Sequence, residues 1–135
     1  MTTTTETSNP RKPTVFVVDD DPGVLDSVRL LLRSAGLASE GFSSAGEFLA
    51  SFDPERPGCL VLDLRMPEMS GMELQERLRS RGSRLPVIFI TAHGEISAAV
   101  EAVKAGAVDF IQKPFDGQKL LEMVQRALEM DAGEP

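Results

Sequence analysis

A single cysteine, Cys59, stands in the 135 residues, and one thiol can form neither an internal disulfide nor a cysteine-based zinc site. Long apolar runs are missing too: the longest are four residues, at 15–18, 59–62 and 87–90, far short of the ~20 of a membrane helix or the ~7–15 of a signal-peptide core. A soluble, cytosolic protein that makes no membrane contact is expected. No G-x-G-x-x-G follows the first apolar run and no Walker lysine loop occurs, so the common phosphate-cradling nucleotide loops are excluded. Positive charge is in deficit, with 14 basic against 21 acidic side chains and a net charge of −7. That is the wrong sign for a duplex-binding surface, and no direct nucleic acid binding by this stretch is expected.

What is present suits one globular domain, since domains typically hold about 100–150 residues and a chain of this size hides about two-thirds of its unfolded surface. Residues 1–13 (MTTTTETSNPRKP) carry no apolar periodicity and are expected to form a disordered lead. Residues 14–130 then alternate short apolar runs with amphipathic stretches. The run at 15–18 precedes a helix beginning at Pro22, with Asp21 as N-cap, Val24, Leu25, Val28, Leu31 and Leu32 on one face, and Gly36 at its end. A weak strand at 38–42 and a short helix at 45–51 come next. Strands at 59–62, 87–90 and 107–111 follow, each with its helix: Met72, Leu74 and Leu78 mark the third, Ile96, Ala99, Val100 and Val103 the fourth, and Leu120, Leu121, Val124 and Leu128 the fifth. Residues 131–135 read as the start of a linker.

Strands that are apolar throughout imply a parallel sheet covered on both faces, joined by right-handed crossovers. Five repeats are too few for an eight-stranded barrel. The fold class expected is α/β: a doubly wound five-stranded parallel sheet of order 2-1-3-4-5, the (βα)5 flavodoxin-like arrangement also described as CheY-like.

The chemistry gathers where these strands end. Residue 18 leads into Asp19, Asp20 and Asp21, residue 62 into Asp63, residue 90 into Thr91, and residue 111 into Gln112, Lys113 and Pro114. Ligands of open α/β sheets bind at this edge, in the crevice where the strand order switches, here between strands one and three. Asp20 and Asp63 should face each other across it. Crowded carboxylates repel, and a bound cation relieves them; an all-oxygen cluster suits Mg²⁺. Lys113 and Thr91 add a positive charge and a hydroxyl, so the set contains the parts needed for phosphoryl transfer to a carboxylate.

The strings V-V-D-D-D, D-L-R-M-P-E-M-S-G-M-E-L, I-T-A-H-G and K-A-G-A-V-D-F-I-Q-K-P-F resemble the receiver domain of bacterial two-component response regulators over about residues 14–130. R-M-P-E-M-S-G, T-A-H-G and A-V-D-F resemble the FixJ-type subgroup, whose members usually join the receiver to a LuxR-type helix-turn-helix DNA-binding domain. The resemblance implies that Asp63 accepts a phosphoryl group from a sensor histidine kinase. It implies that Asp19 and Asp20 form an acidic pair, with Asp20 and Asp63 ligating Mg²⁺ through side chains and Arg65 through its backbone carbonyl. Thr91 and Lys113 would contact phosphoryl oxygens, and Thr91 and Phe110 would act as a switch. Phe110 stands where relatives often carry Tyr, so it would report the state without a hydroxyl. Arg65 and His93 would rim the pocket, and Pro114 would follow a cis peptide bond. Phosphorylation would then favour a homodimer through the face made by the fourth helix, fifth strand and fifth helix, with DNA contacted by a possible C-terminal domain.

Simpler roles compete with these. Asp21 reads as a helix cap rather than a ligand, and Met66, Met69 and Met72 as packing. A haloacid-dehalogenase-type aspartyl phosphatase is a rival, but such enzymes carry a second Asp two residues after a nucleophile on the first strand. Here Arg65 follows a third-strand Asp63, and the length leaves no room for a cap insertion. A pseudo-receiver that only binds partners is the other rival, although such domains usually lack the acidic pair or the lysine, and both are present here.

Overall fold

The β-branched and apolar runs do form strands; the first, third and fourth are buried along their whole length, and the second and fifth, at the sheet edges, are only partly buried. The structure, a computed structural model, describes residues 12–92 and 94–133. The sequence-predicted disordered lead therefore lies outside the described residues except for Lys12 and Pro13, and the predicted linker start lies outside them from residue 134 onward.

In chain order the elements are β1 (Thr14–Val18), α1 (Pro22–Ser34), β2 (Ser39–Phe42), α2 (Ala45–Ser51), β3 (Gly58–Asp63), α3 (Gly71–Ser80), β4 (Val87–Thr91), α4 (Ile96–Lys104), β5 (Asp109–Gln112) and α5 (Gly117–Asp131). The five strands are parallel and ordered β2-β1-β3-β4-β5, the arrangement of a CheY-like fold. Because side chains alternate along a strand, Val15, Val17, Cys59, Val61, Ile88 and Ile90 face α1 and α5, where Val28, Leu32, Leu120 and Val124 meet them. Phe16, Val18, Leu60, Leu62 and Phe89 face the other way, onto Phe48 of α2, Leu74 and Leu78 of α3 and Ala102 of α4. Asp21 caps α1 by accepting from the amide of Gly23, with Pro22 as the first helical residue. Gly36, at φ 76°, ends the turn beyond it.

Two elements differ from the periodicity reading. The fifth strand starts at Asp109 and reaches Gln112, two residues later than the apolar run suggests. Helix α4 turns Ala99 and Ala102 fully inward and leaves Ile96 and Val100 about 40% exposed. Six of its nine residues are apolar, so spacing alone cannot say which stripe faces the sheet. The small alanines allow close approach to it, and the bulkier pair is displaced outward. At the opposite end of the domain, Asp131 closes α5, and its carboxylate accepts from the Gly58 amide at 2.7 Å, tying the last helical turn to the start of β3.

Candidate functional site

Parallel strands point all their C-terminal ends to one edge, and the reversal of order between β1 and β3 opens a crevice there. Asp19 follows β1, Asp63 is the last residue of β3, Thr91 ends β4, and Lys113 follows β5. Oxygens of Asp19, Asp20 and Asp63 lie within 4.8 Å of one another. Asp19 and Thr91 are completely buried, Asp63 is nearly so, and Asp20 stands at the exposed mouth. The Lys113 ammonium is 3.5 Å from Asp19 Oδ2, an ion pair longer than a good charge-assisted hydrogen bond.

Backbone bonds hold the loops around the crevice. The Lys113 amide donates to the Thr91 carbonyl at 2.7 Å, the Leu64 amide to Ile90 at 3.0 Å, and the Gly71 amide to Leu64 at 2.9 Å. The Arg65 amide donates to Asp63 Oδ1 at 3.3 Å and the Asp21 amide to Asp19 Oδ1 at 2.9 Å. The Lys113–Pro114 peptide is cis. Phe110 is half-buried and packs on the face that carries α2, α3 and α4. Arg65 is exposed, and its guanidinium is held by Glu95 at 2.8 Å. Sequence reasoning did not single out Glu95, because no local pattern pairs residues 30 positions apart. His93, predicted for the rim, lies outside the described residues.

Gly71 is a second site-shaping residue that motif reading passes over. A Cβ there would stand 2.3 Å from the Asp63 carbonyl oxygen and 2.9 Å from the Phe89 ring, so the start of α3 can seat beneath Asp63 only without a side chain. Gly71→Ala is expected to destabilise the domain by about 1–3 kcal/mol through overpacking, measured by urea unfolding. An unchanged midpoint would contradict the close approach.

The electrostatics are strained in the way a cation site is. Burial, then the neighbouring Asp19 charge, pushes the Asp63 carboxyl up to about 7. Burial likewise raises Asp19, against the opposing pull of the Asp21 amide and Lys113. Asp19 Oδ2 and Thr91 Oγ1 are buried without hydrogen-bond partners, which costs free energy unless something binds there. A hard dication fits this donor set, since all its donors are oxygens, negative charge is in excess, and one member opens to solvent. The unpartnered Thr91 hydroxyl and the Lys113 ammonium fit an anion beside it.

Comparisons with known proteins agree with this geometry. Residues 15–125 match the model of the response regulator receiver domain. The response regulator protein TodT of Pseudomonas putida is 48% identical over 120 residues, covering 89% of this chain and 53% of TodT. The structure of the response regulator StyR superposes with a TM-score of 0.86 at 53% identity, covering 90% of this chain and 62% of that one. FixJ-N superposes with a TM-score of 0.81 at 47% identity, covering 88% of this chain and 95% of that one. The chain thus spans about half the length of the curated relatives it matches. With the fold, the acidic triad and these likenesses in agreement, the chain belongs to the response regulator receiver domain family, on its FixJ-like branch.

Proposed function

We propose that this domain is a phosphorylation-dependent switch whose phosphoacceptor is Asp63. The observation that carries the reading is a buried Asp63 carboxylate at the switch point, with the acidic pair Asp19 and Asp20, one lysine and an unpartnered threonine hydroxyl around it. An Asp63 oxygen attacks the phosphorus of a sensor kinase's phosphohistidine. The O–P bond forms as the P–N bond breaks, and the leaving imidazole keeps the electron pair and takes up a proton. Lys113 then pairs with the phosphoryl oxygens, and the Thr91 hydroxyl donates to one of them. Water later hydrolyses the acyl phosphate and restores the carboxylate. Asp19, Asp20, Asp63 and the Arg65 carbonyl would hold Mg²⁺. When bound, the ion neutralises the carboxylate charge that otherwise opposes an incoming phosphoryl group.

The reading extends to the output. Thr91 and Lys113 are joined through their backbones, so an anion at Asp63 that draws both inward biases β4 and β5 together. Inward movement of Thr91 vacates space into which Phe110 can turn, a shift between two packings that phosphorylation favours by differential contacts. The face of α4, β5 and α5 then pairs with a second copy, and Ile96 and Val100 supply exposed apolar area for it. Ile96→Asp together with Val100→Asp is expected to weaken dimerisation in beryllofluoride about tenfold or more, because a desolvated charge replaces apolar contact. Sedimentation measures this, and equal dimer constants would contradict the assignment of the face. A separate DNA-binding domain would complete a cytoplasmic transcriptional regulator, since the net charge of −7 leaves this domain unsuited to DNA.

The test is incubation with acetyl phosphate and Mg²⁺ followed by intact mass. One added phosphoryl group, absent when the metal is chelated before the donor is added and absent in Asp63→Asn, is expected. No gain would favour a pseudo-receiver, and sustained turnover of many phosphomonoesters would favour a phosphatase.

A further inference from the structure

We propose that Glu95 is a positioning residue: it holds the Arg65 guanidinium off the mouth of the Asp63 pocket and thereby slows loading of Asp63 by anionic phosphodonors. The inference rests on Asp63 being the phosphoacceptor and concerns what gates access to it.

Helix caps supply the first observation. Helices α1, α2, α3 and α5 are each capped by a side chain, from Asp21, Ser44, Ser70 and Asp116. Glu95 occupies the same position before α4, and its backbone carbonyl accepts from the Ala99 amide, but its side chain makes no capping bond to that helix. Its carboxylate instead accepts from Arg65 Nε at 2.8 Å, across 30 residues of sequence. The Glu95 side chain is only 20% exposed against 75% for Arg65, so the acid is the more enclosed partner and the arginine stands in solvent.

Position supplies the second. Arg65 follows Asp63 by two residues, and its amide already contacts Asp63 Oδ1 at 3.3 Å. Its backbone is thus anchored at the edge of the pocket, and its side chain is long enough to serve either Glu95 or the pocket mouth. Three carboxylates meet the single ammonium of Lys113 inside, so an anionic donor approaches against a negative field. An unpaired arginine at the mouth would offset part of that field, and pairing with Glu95 withholds it. Removing the Glu95 charge both deletes one negative charge at the rim and frees one positive charge.

The test is the initial rate at which the full chain is loaded by acetyl phosphate with Mg²⁺, read by intact mass, in the wild type, Glu95→Gln, Arg65→Ala and the double variant. Glu95→Gln is expected to load about three- to tenfold faster at low salt, within the range of charge steering. The gain should shrink at high salt as screening sets in and fall by at least half in the Arg65→Ala background, where only the deleted negative charge still acts and the two changes are no longer independent. Glu95→Ala should behave as Glu95→Gln does, with a melting temperature near that of the wild type. An unchanged rate, a salt-insensitive gain, or a gain undiminished without Arg65 overturns the proposal while wild-type loading still supports Asp63 as acceptor. Failure of the wild type to load overturns both.

Discussion

Lys113→Ala is expected to slow the loading of Asp63 by about 10²–10³-fold, the usual cost of removing one preorganised donor from a developing oxyanion, while the fold survives. The lysine sits on a short loop after β5, and its aliphatic stem leads an ammonium to 3.5 Å from a completely buried carboxylate. Among the described residues it is the one cation paired inside the acidic cluster. Removing it leaves Asp19, Asp20 and Asp63 to repel an incoming phosphoryl group unaided. The melting temperature should fall little or rise slightly when Mg²⁺ is present, because the ion can take over the pairing with Asp19. Lys113→Arg should recover only part of the rate, since a planar fork does not reproduce a compact point charge. The measurement is the initial rate of phosphorylation by intact mass, and a rate within threefold of the wild type would contradict the role assigned to the ammonium.

The second large effect concerns pH. Burial and the neighbouring Asp19 raise the Asp63 carboxyl to about 7, from an ordinary value of 3.8. The folded protein therefore keeps a proton that the unfolded chain has already released, so folding becomes less favourable as pH rises through this window. The Asp63 contribution is fully present below the ordinary carboxylate value and is lost as pH rises through about 7. In metal-free buffer at about pH 8, Asp63→Asn is expected to stabilise the domain by about 2–4 kcal/mol, shrinking to less than half of that at about pH 5. Mg²⁺ should stabilise the wild type above neutrality by mass action and stabilise Asp63→Asn much less. Urea unfolding across pH, with and without Mg²⁺, measures all of this. Stability that rises with pH through the neutral range in metal-free buffer, or an Asp63→Asn variant no more stable than the wild type, would contradict the electrostatic description.

The same terms explain which parts of this molecule could be read before it was seen folded. The sheet was legible because β1, β3 and β4 each contain an unbroken run of four apolar residues and lie beside strong punctuation, such as Asp21-Pro22 before α1 and Gly36 after it. The site was legible because strand ends are where α/β folds place chemistry, and four such ends carry Asp19, Asp63, Thr91 and Lys113. The inward stripe of α4 was not, since alanine and valine are equally apolar in a periodicity count and only packing distance separates Ala99 and Ala102 from Ile96 and Val100. Contacts made across long stretches of chain were also hidden. Glu95 with Arg65, and Asp131 with the Gly58 amide, are joined only once the crossovers have formed. Gly71 looked like part of a motif, and its physical reason, a carbonyl and an aromatic ring where a Cβ would stand, exists only in three dimensions.

The central claim is that one carboxylate, Asp63, receives the phosphoryl group. It is tested most directly by loading the protein with a phosphodonor and Mg²⁺, reducing the acyl phosphate with borohydride, and mapping the resulting homoserine by peptide mass spectrometry. Homoserine at position 63 alone is the predicted result. Modification at Asp19 or Asp20, or phosphate carried on His93, would contradict it.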